Sequence, residues 1–238
     1  MISKVYSWLS FNQINRCLLC LGSAAGIAEC ICPSCLEELP WLGNACRQCA
    51  LPLPSEDMLC GQCQQKPPAF SQVIAPFRYS FPLDSLIPAF KHQHKLTYGR
   101  LMARLLLQAI AHHYEERQQA LPDLVIPLPL HRARQAQRGY NQALELARPI
   151  ARQLAVPLDR RNLIRCRATV SQQGLDARER RRNLDGAFAC RNPERIAGKH
   201  IALLDDVVTT GTTVNEASRT LLAAGAASVS IWCIARTP

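Results

Sequence analysis

The chain has no long apolar run. No segment approaches the roughly 18 uninterrupted apolar residues of a membrane span, so membrane insertion is not expected. The opening stretch, MISKVYSWLSFNQINRCLLC, lacks the apolar core of a secretory signal, and a cytoplasmic location is the expectation. Two phosphate-binding signatures are missing as well. There is no G-x-G-x-x-G, and the nearest Walker-like pair, Gly198-Lys199, is followed by His200 and lies before a strand pattern. Lysine is absent from a long stretch: between Arg132 and Arg191 stand 14 Arg and no Lys, against five acids. Nearly all of the formal net charge of +10 therefore sits in that quarter of the chain. Arg in place of Lys favours forked recognition of phosphate or carboxylate. A pyrophosphate or a nucleic acid backbone would suit it, and part of it is an ordinary solvated face.

Cysteine is abundant and confined. Nine of the 12 cysteines precede residue 64, and eight form C-x-x-C pairs: Cys17/Cys20, Cys32/Cys35, Cys46/Cys49 and Cys60/Cys63. Two thiolates on one tight turn face one metal, and two such turns make a tetrahedral site of four sulfurs. Two structural Zn²⁺ ions are expected. Sequential pairing puts Cys17, Cys20, Cys32 and Cys35 on the first and Cys46, Cys49, Cys60 and Cys63 on the second; a crossed pairing is also open. Loading both would lower the formal charge to about +6. Gln64–Pro68 reads as a linker. The expected division is a double zinc-ribbon domain over 1–68 and an α/β domain over 69–238.

The most informative stretch is 200–224, HIALLDDVVTTGTTVNEASRTLLAA. An apolar run, Ile201–Leu204, ends at Asp205 and Asp206. A loop of small residues follows, then a helix for which Thr213 and Glu216 have capping-box spacing. A second apolar run covers Ser228–Ile234. This is a βαβ unit with its polar chemistry at the carboxyl end of a buried parallel strand, where open α/β sheets place ligands. Backbone N–H groups around a glycine ahead of a helix form an anion cradle, and Thr hydroxyls add donors. The carboxylates repel a phosphate but can accept hydrogen bonds from a vicinal diol, or help hold a hydrated cation. The combination asks for a sugar phosphate. Because the pair faces a ligand, the fold is not expected to depend on its charge.

These residues resemble the 5-phosphoribosyl-1-pyrophosphate (PRPP) motif of type I phosphoribosyltransferases. The resemblance implies that Asp205 and Asp206 hold the ribose hydroxyls as the catalytic pair. It also implies that the segment Val207, Val208, Thr209, Thr210, Gly211, Thr212 and Thr213 is the ligand-binding loop around the 5′-phosphate.

Elsewhere, Val73–Tyr79 reads as a strand, Leu96–Gln119 as a long helix, Leu124–Ile126 as a buried strand, and Gln142–Leu154 as a helix kinked or divided by Pro149. Arg132, Arg134 and Arg138 leave the strand end as a cationic loop that could clamp pyrophosphate. In order along the chain stand the cysteine head, H-R-x-R-x-x-x-R-G-Y-N, a polar segment with Gln172, Arg180 and Asn183, and D-D-V-x-T-T-G-x-T. Together they resemble the competence protein F (ComF/GntX) family over essentially the whole chain. That resemblance implies a zinc ribbon fused to a type I phosphoribosyltransferase-like parallel sheet with flanking helices, acting in competence or the use of imported DNA.

Two functions follow as expectations. One is a PRPP-dependent transferase, with Mg²⁺ and Arg on the pyrophosphate. The other is a non-catalytic module that binds PRPP, a nucleotide or single-stranded DNA and docks a DNA-processing protein through its zinc ribbons. Only four residues follow Ile234, which leaves little for a C-terminal hood over an acceptor base. The basic run Arg178–Arg182 is the expected contact for DNA.

Overall fold

The computed structural model describes residues 16–24, 30–55, 58–167 and 186–238. Its contacts divide the chain into two compact units, Met1–Leu39 and Pro40–Pro238. The division expected at 68/69 lies inside the second unit, which includes the cysteines from Cys46 onward. In the first unit, Arg16 and Ser23 bridge across a tight turn, and a short helix α1 (Pro33–Glu37) starts directly after Cys32. Pro33 suits that start because the first helical N–H has no partner to lose.

In the second unit, helix α2 (Gly61–Gln65) carries Cys63. Strands β1 (Gln72–Ile74) and β2 (Phe77–Arg78) follow, then helices α3 (Leu83–His92) and α4 (Leu96–Glu116). After these come β3 (Leu124–Pro127), α5 (Arg132–Arg138), α6 (Gln142–Gln153), β4 (Leu163–Arg165) and β5 (Phe188–Cys190). The chain closes with β6 (His200–Leu204), β7 (Val207–Val208), α7 (Thr212–Ala223), β8 (Ser228–Trp232) and β9 (Ala235–Arg236).

The main sheet is parallel, in the order β1-β8-β6-β3. Ile201, Ala202, Leu203 and Leu204 of β6 are fully buried, as a strand covered on both faces requires. Helices α4 and α6 pack on each other, α6 covers β3 and β6, and α7 packs on β8. Leu204 stands level with Pro127 and Trp232, so the strand ends share one edge.

Beyond that edge the sheet bends and continues. The second sheet has the order β2-β9-β7, so each of its strands prolongs one of β1, β8 and β6. The bend falls at Ala75-Pro76, Cys233-Ile234 and Asp205-Asp206. The expected strand Val73–Tyr79 is therefore split in two, whereas Ser228–Ile234 stops early at Trp232 and the strand beyond the bend starts past its far limit, at Ala235. Pro76 has no N–H for a ladder, and the backbone N–H of Ile234 turns to the Asp206 carbonyl at 2.9 Å. The two carboxylates thus sit in a bend common to three strands.

Two further expectations change. Arg132–Arg138 is a helix, not a loop: His131 Nδ1 accepts the Ala133 N–H, and Gly139, at φ 80°, closes the far end. Its sequence of Arg, Ala and Gln consists of good helix formers. Helix α6 runs unbroken through Pro149, started by Asn141 Oδ1, which accepts the N–H groups of Ala143 and Leu144.

Candidate ligand and metal sites

The loop after β7 is shaped by one glycine. Gly211 has φ +74°, a conformation that L side chains resist, and it is the N-cap of α7. The expected Thr213–Glu216 capping box does not form, because the helix already begins at Thr212 and Thr213 lies within its first turn. Glu216 instead accepts the Gly186 N–H at 3.3 Å and faces Arg219 at 3.9 Å. Thr210 Oγ1 lies 2.8 Å from Thr212 Oγ1. The start of α7 and the carboxylate pair border the same cavity.

The carboxylates differ in environment. Asp206 is 3% exposed. Its Oδ1 accepts the Val207 N–H at 3.0 Å, and Lys91 Nζ lies 2.6 Å from its Oδ2. Asp205 is half-buried, and its Oδ1 accepts the Asp206 N–H at 2.8 Å. Burial pushes the Asp205 carboxyl up to about 6, against the pull of Lys91, Arg165 and Arg138. Burial likewise brings the Lys91 ammonium down to about 8, opposed by the Asp205 carboxylate.

A cavity of about 210 Å³ joins these groups. Lys91, Arg134, Arg138 and Arg165 line it opposite Asp205, Asp206 and the segment from Val207 to Thr213, of which Thr210 alone does not face it. Arg138 donates to Gln142 Oε1 at 2.7 Å, which fixes its guanidinium beside the opening. Of the three arginines expected to clamp pyrophosphate, Arg134 and Arg138 line the cavity; Arg132 is exposed on the same helix and does not. Gln172, Arg178, Arg180, Arg181, Arg182 and Asn183 lie outside the described residues.

Sequence reasoning missed Lys91, Arg165 and Gln142. The apolar spacing Leu83, Leu86, Ile87, Phe90 could have revealed helix α3, but nothing local connects its last turn to Asp206.

The cysteines gather in two tetrads, Cys17, Cys20, Cys32, Cys35 and Cys46, Cys49, Cys60, Cys63. Within each, the four sulfurs lie within 4.8 Å of one another. Neighbouring sulfurs stand at 3.7 Å (Cys20 to Cys32) and 3.6 Å (Cys49 to Cys60). A tetrahedral ion with Zn–S bonds of about 2.3 Å needs sulfurs about 3.8 Å apart, so either tetrad could hold zinc. Backbone N–H groups already point at single sulfurs: Leu19 at Cys17 and Cys60 at Cys46. Burial opposes ionisation of both thiols. Backbone N–H donors outweigh it and bring Cys17 down to about 6 and Cys46 to about 7. One thiol of each tetrad is thus favoured as thiolate, the metal-binding form, while neighbouring thiols and burial push Cys35, Cys49 and Cys63 up.

The phosphoribosyl transferase domain family matches residues 141–238, the part that holds the loop and the carboxylates. The chain is 37% identical over 221 residues to DNA utilization protein YhgH of Salmonella typhimurium, covering 93% of this chain and 96% of that protein. It is 34% identical over 225 residues to competence protein F of Haemophilus influenzae, with the same coverage of 93% and 96%. The chain belongs to the competence protein F (ComF) family. Within this family, competence protein ComFC of Bacillus subtilis matches over 115 residues at 35% identity, or 48% of this chain and 45% of that one. A purine phosphoribosyltransferase from Pyrococcus horikoshii, 17% identical, covers 57% of this chain and 73% of its own with a TM-score of 0.36, a likeness too faint to inform the site. This ComF protein is phosphoribosyltransferase-like, and no helix among its described residues is long and apolar enough to cross a membrane.

Proposed function

We propose that this ComF protein binds PRPP or a closely related sugar phosphate at the carboxyl end of β6, in cytoplasmic handling of imported DNA. One observation carries the reading: an amide-rich helix start, a carboxylate pair and four cationic side chains line a single cavity. The N–H groups at the start of α7 and the hydroxyls of Thr209, Thr212 and Thr213 suit the 5′-phosphate. Asp205, the more open carboxylate, accepts from the ribose hydroxyls. Asp206, tied to Lys91, holds the bend in place and presents its charge to the same diol. Arg134, Arg138 and Arg165 face the pyrophosphate. Mg²⁺, arriving with PRPP, would neutralise pyrophosphate charge; the hard oxygens of Asp205 and the loop hydroxyls suit it.

If turnover occurs, a nitrogen nucleophile forms its bond to C1 as the bond from C1 to the pyrophosphate oxygen breaks. The bonding pair leaves with pyrophosphate, and the proton on nitrogen is lost to solvent. The chain's part is positioning and electrostatic stabilisation of the departing group. The cavity's size favours a second reading. At about 210 Å³ it lies below the roughly 300 Å³ at which ligand clefts and cavities usually begin, which leaves little room for an acceptor beside a sugar phosphate. A non-catalytic module that binds PRPP, a nucleotide or single-stranded DNA and docks a DNA-processing protein through its cysteine tetrads would need no more.

The names of the relatives, DNA utilization protein and competence protein, support the link to DNA. Calorimetric titration of the full chain with PRPP, ribose 5-phosphate and inorganic phosphate tests the reading. Affinity should fall in that order with Mg²⁺ present. Equal affinity for all three would reject the sugar-phosphate pocket.

A further inference from the structure

The second cysteine tetrad and the phosphate loop are joined through two side chains. Arg236 on β9 is 5% exposed. Its Nε donates to the Cys49 carbonyl at 2.9 Å, and its Nη1 donates to the carbonyls of Thr209 and Thr237 and reaches Val208 O at 3.5 Å. Among the described residues no carboxylate is paired with it, and its charge is held by backbone oxygens and the Thr237 hydroxyl. One guanidinium thus fixes the distance between the turn Cys46–Cys49 and the start of the loop. Its planar fork serves the Cys49 carbonyl from Nε and the Thr209 carbonyl from Nη1, a spread of donors over separate nitrogens that a single ammonium nitrogen does not have.

The neighbouring residue of the same turn begins a second connection. Gln48 Nε2 donates to Phe70 O at 3.3 Å. The N–H of Ala69, one residue earlier, donates to Asn215 Oδ1 in the first turn of α7, at 2.7 Å. The Phe70 ring packs toward Gly211, with its Cζ 3.9 Å from where a Cβ on that glycine would stand. Residues 48 and 49 therefore reach both ends of the loop, Thr209 through Arg236 and Gly211–Asn215 through Phe70. Cys46, Cys60 and Cys63 form their own small buried cluster with Leu51, Leu53 and Leu59 packed around it. Such a cluster has little apolar area to hold the turn, and four metal–sulfur bonds would supply what is lacking.

The geometry points to the tetrad Cys46, Cys49, Cys60, Cys63 as a positioning site for the sugar-phosphate loop. A metal there fixes the turn, and Arg236 and Gln48 are positioning residues that transmit that order to Thr209–Asn215. The inference rests on the sugar-phosphate reading above. Coupling between the two sites must be reciprocal: a metal that tightens the loop is itself held more tightly once the loop is occupied. Neither connection includes a residue of the first tetrad.

The test uses the full zinc-loaded chain and a chromophoric chelator. PRPP should slow the release of one zinc equivalent and leave the other unchanged. Arg236→Lys with Gln48→Ala should keep both zinc ions and the folded state, lose that slowing, and bind PRPP roughly tenfold more weakly. Wild-type affinity in this variant, or zinc release indifferent to PRPP that is demonstrably bound, overturns the coupling. So does an equal loss of PRPP affinity on emptying the first tetrad with Cys17→Ser and Cys20→Ser. Should the wild type not bind PRPP at all, the sugar-phosphate reading fails by itself. Amide exchange on the ligand-free protein then decides the coupling: stripping zinc from the second tetrad must speed exchange at residues 208–213, and unchanged exchange rejects it.

Discussion

Lys91 Nζ lies 2.6 Å from Asp206 Oδ2, and this contact fastens the last turn of α3 to the carboxyl end of β6. Both groups are largely withdrawn from water, with side chains 23% and 5% exposed. The pair allows two adjacent carboxylates to stand in one bend without both needing solvent. It also alters the expectation that the fold is indifferent to their charge. Asp206 has a partner that would be stranded by its removal.

Lys91→Met should therefore destabilise the protein by about 3 kcal/mol, because it leaves a buried carboxylate without its cation. Asp206→Asn in that background should recover much of the loss, although Asp206→Asn alone should also destabilise. Urea unfolding of the four proteins gives the coupling directly. Additive losses would mean that the pair contributes nothing as a pair.

Each chain purified without added metal should carry about two zinc ions. Elemental analysis with a thiol count checks this. A content near zero with all thiols reduced would remove the metal role of both tetrads.

Gly211→Ala should cost about 1–2 kcal/mol of stability and weaken PRPP binding. Space is not the obstacle, since the nearest atoms to an added Cβ would be Phe70 Cζ at 3.9 Å and Val208 Cγ1 at 4.0 Å. The obstacle is φ +74°, which alanine resists. Unaltered stability and affinity would show that the loop does not need this turn.

The parts of the site legible in the sequence are those close together along it. Ile201–Leu204, Asp205, Asp206 and the Thr-Gly loop are one local pattern, and parallel-sheet chemistry places them together. The C-x-x-C pairs are likewise local, and their even spacing anticipates two tetrads. What the sequence hid is what depends on tertiary approach. Lys91 and Arg165 reach the cavity from elements far from Asp206 in sequence, and Arg236 meets the Cys49 carbonyl across most of the chain. The common bend that splits β1/β2, β6/β7 and β8/β9 was hidden as well. An apolar run reads as one strand whether or not it bends part-way along, and here the neighbouring strands bend together and keep one register across the break.

The most direct test of the central claim is PRPP affinity as a function of pH, in the wild type and in Asp205→Asn. Burial raises the Asp205 carboxyl to about 6 from its ordinary value of 3.8. A raised carboxyl favours the folded protein at low pH. That contribution is complete below the unfolded value and is lost as pH climbs through about 6, so the ligand-free protein should lose stability between about pH 4 and 6. Ribose hydroxyls need the ionised carboxylate as acceptor, so binding should strengthen over the upper part of the same range. Wild-type affinity for PRPP should rise from about pH 5 to about pH 7 with a midpoint near 6, after correction for the titration of PRPP itself. Asp205→Asn should bind weakly with no such rise. A variant that binds as tightly as the wild type, with the same pH profile, would contradict the assignment of this cavity to the ribose of a sugar phosphate.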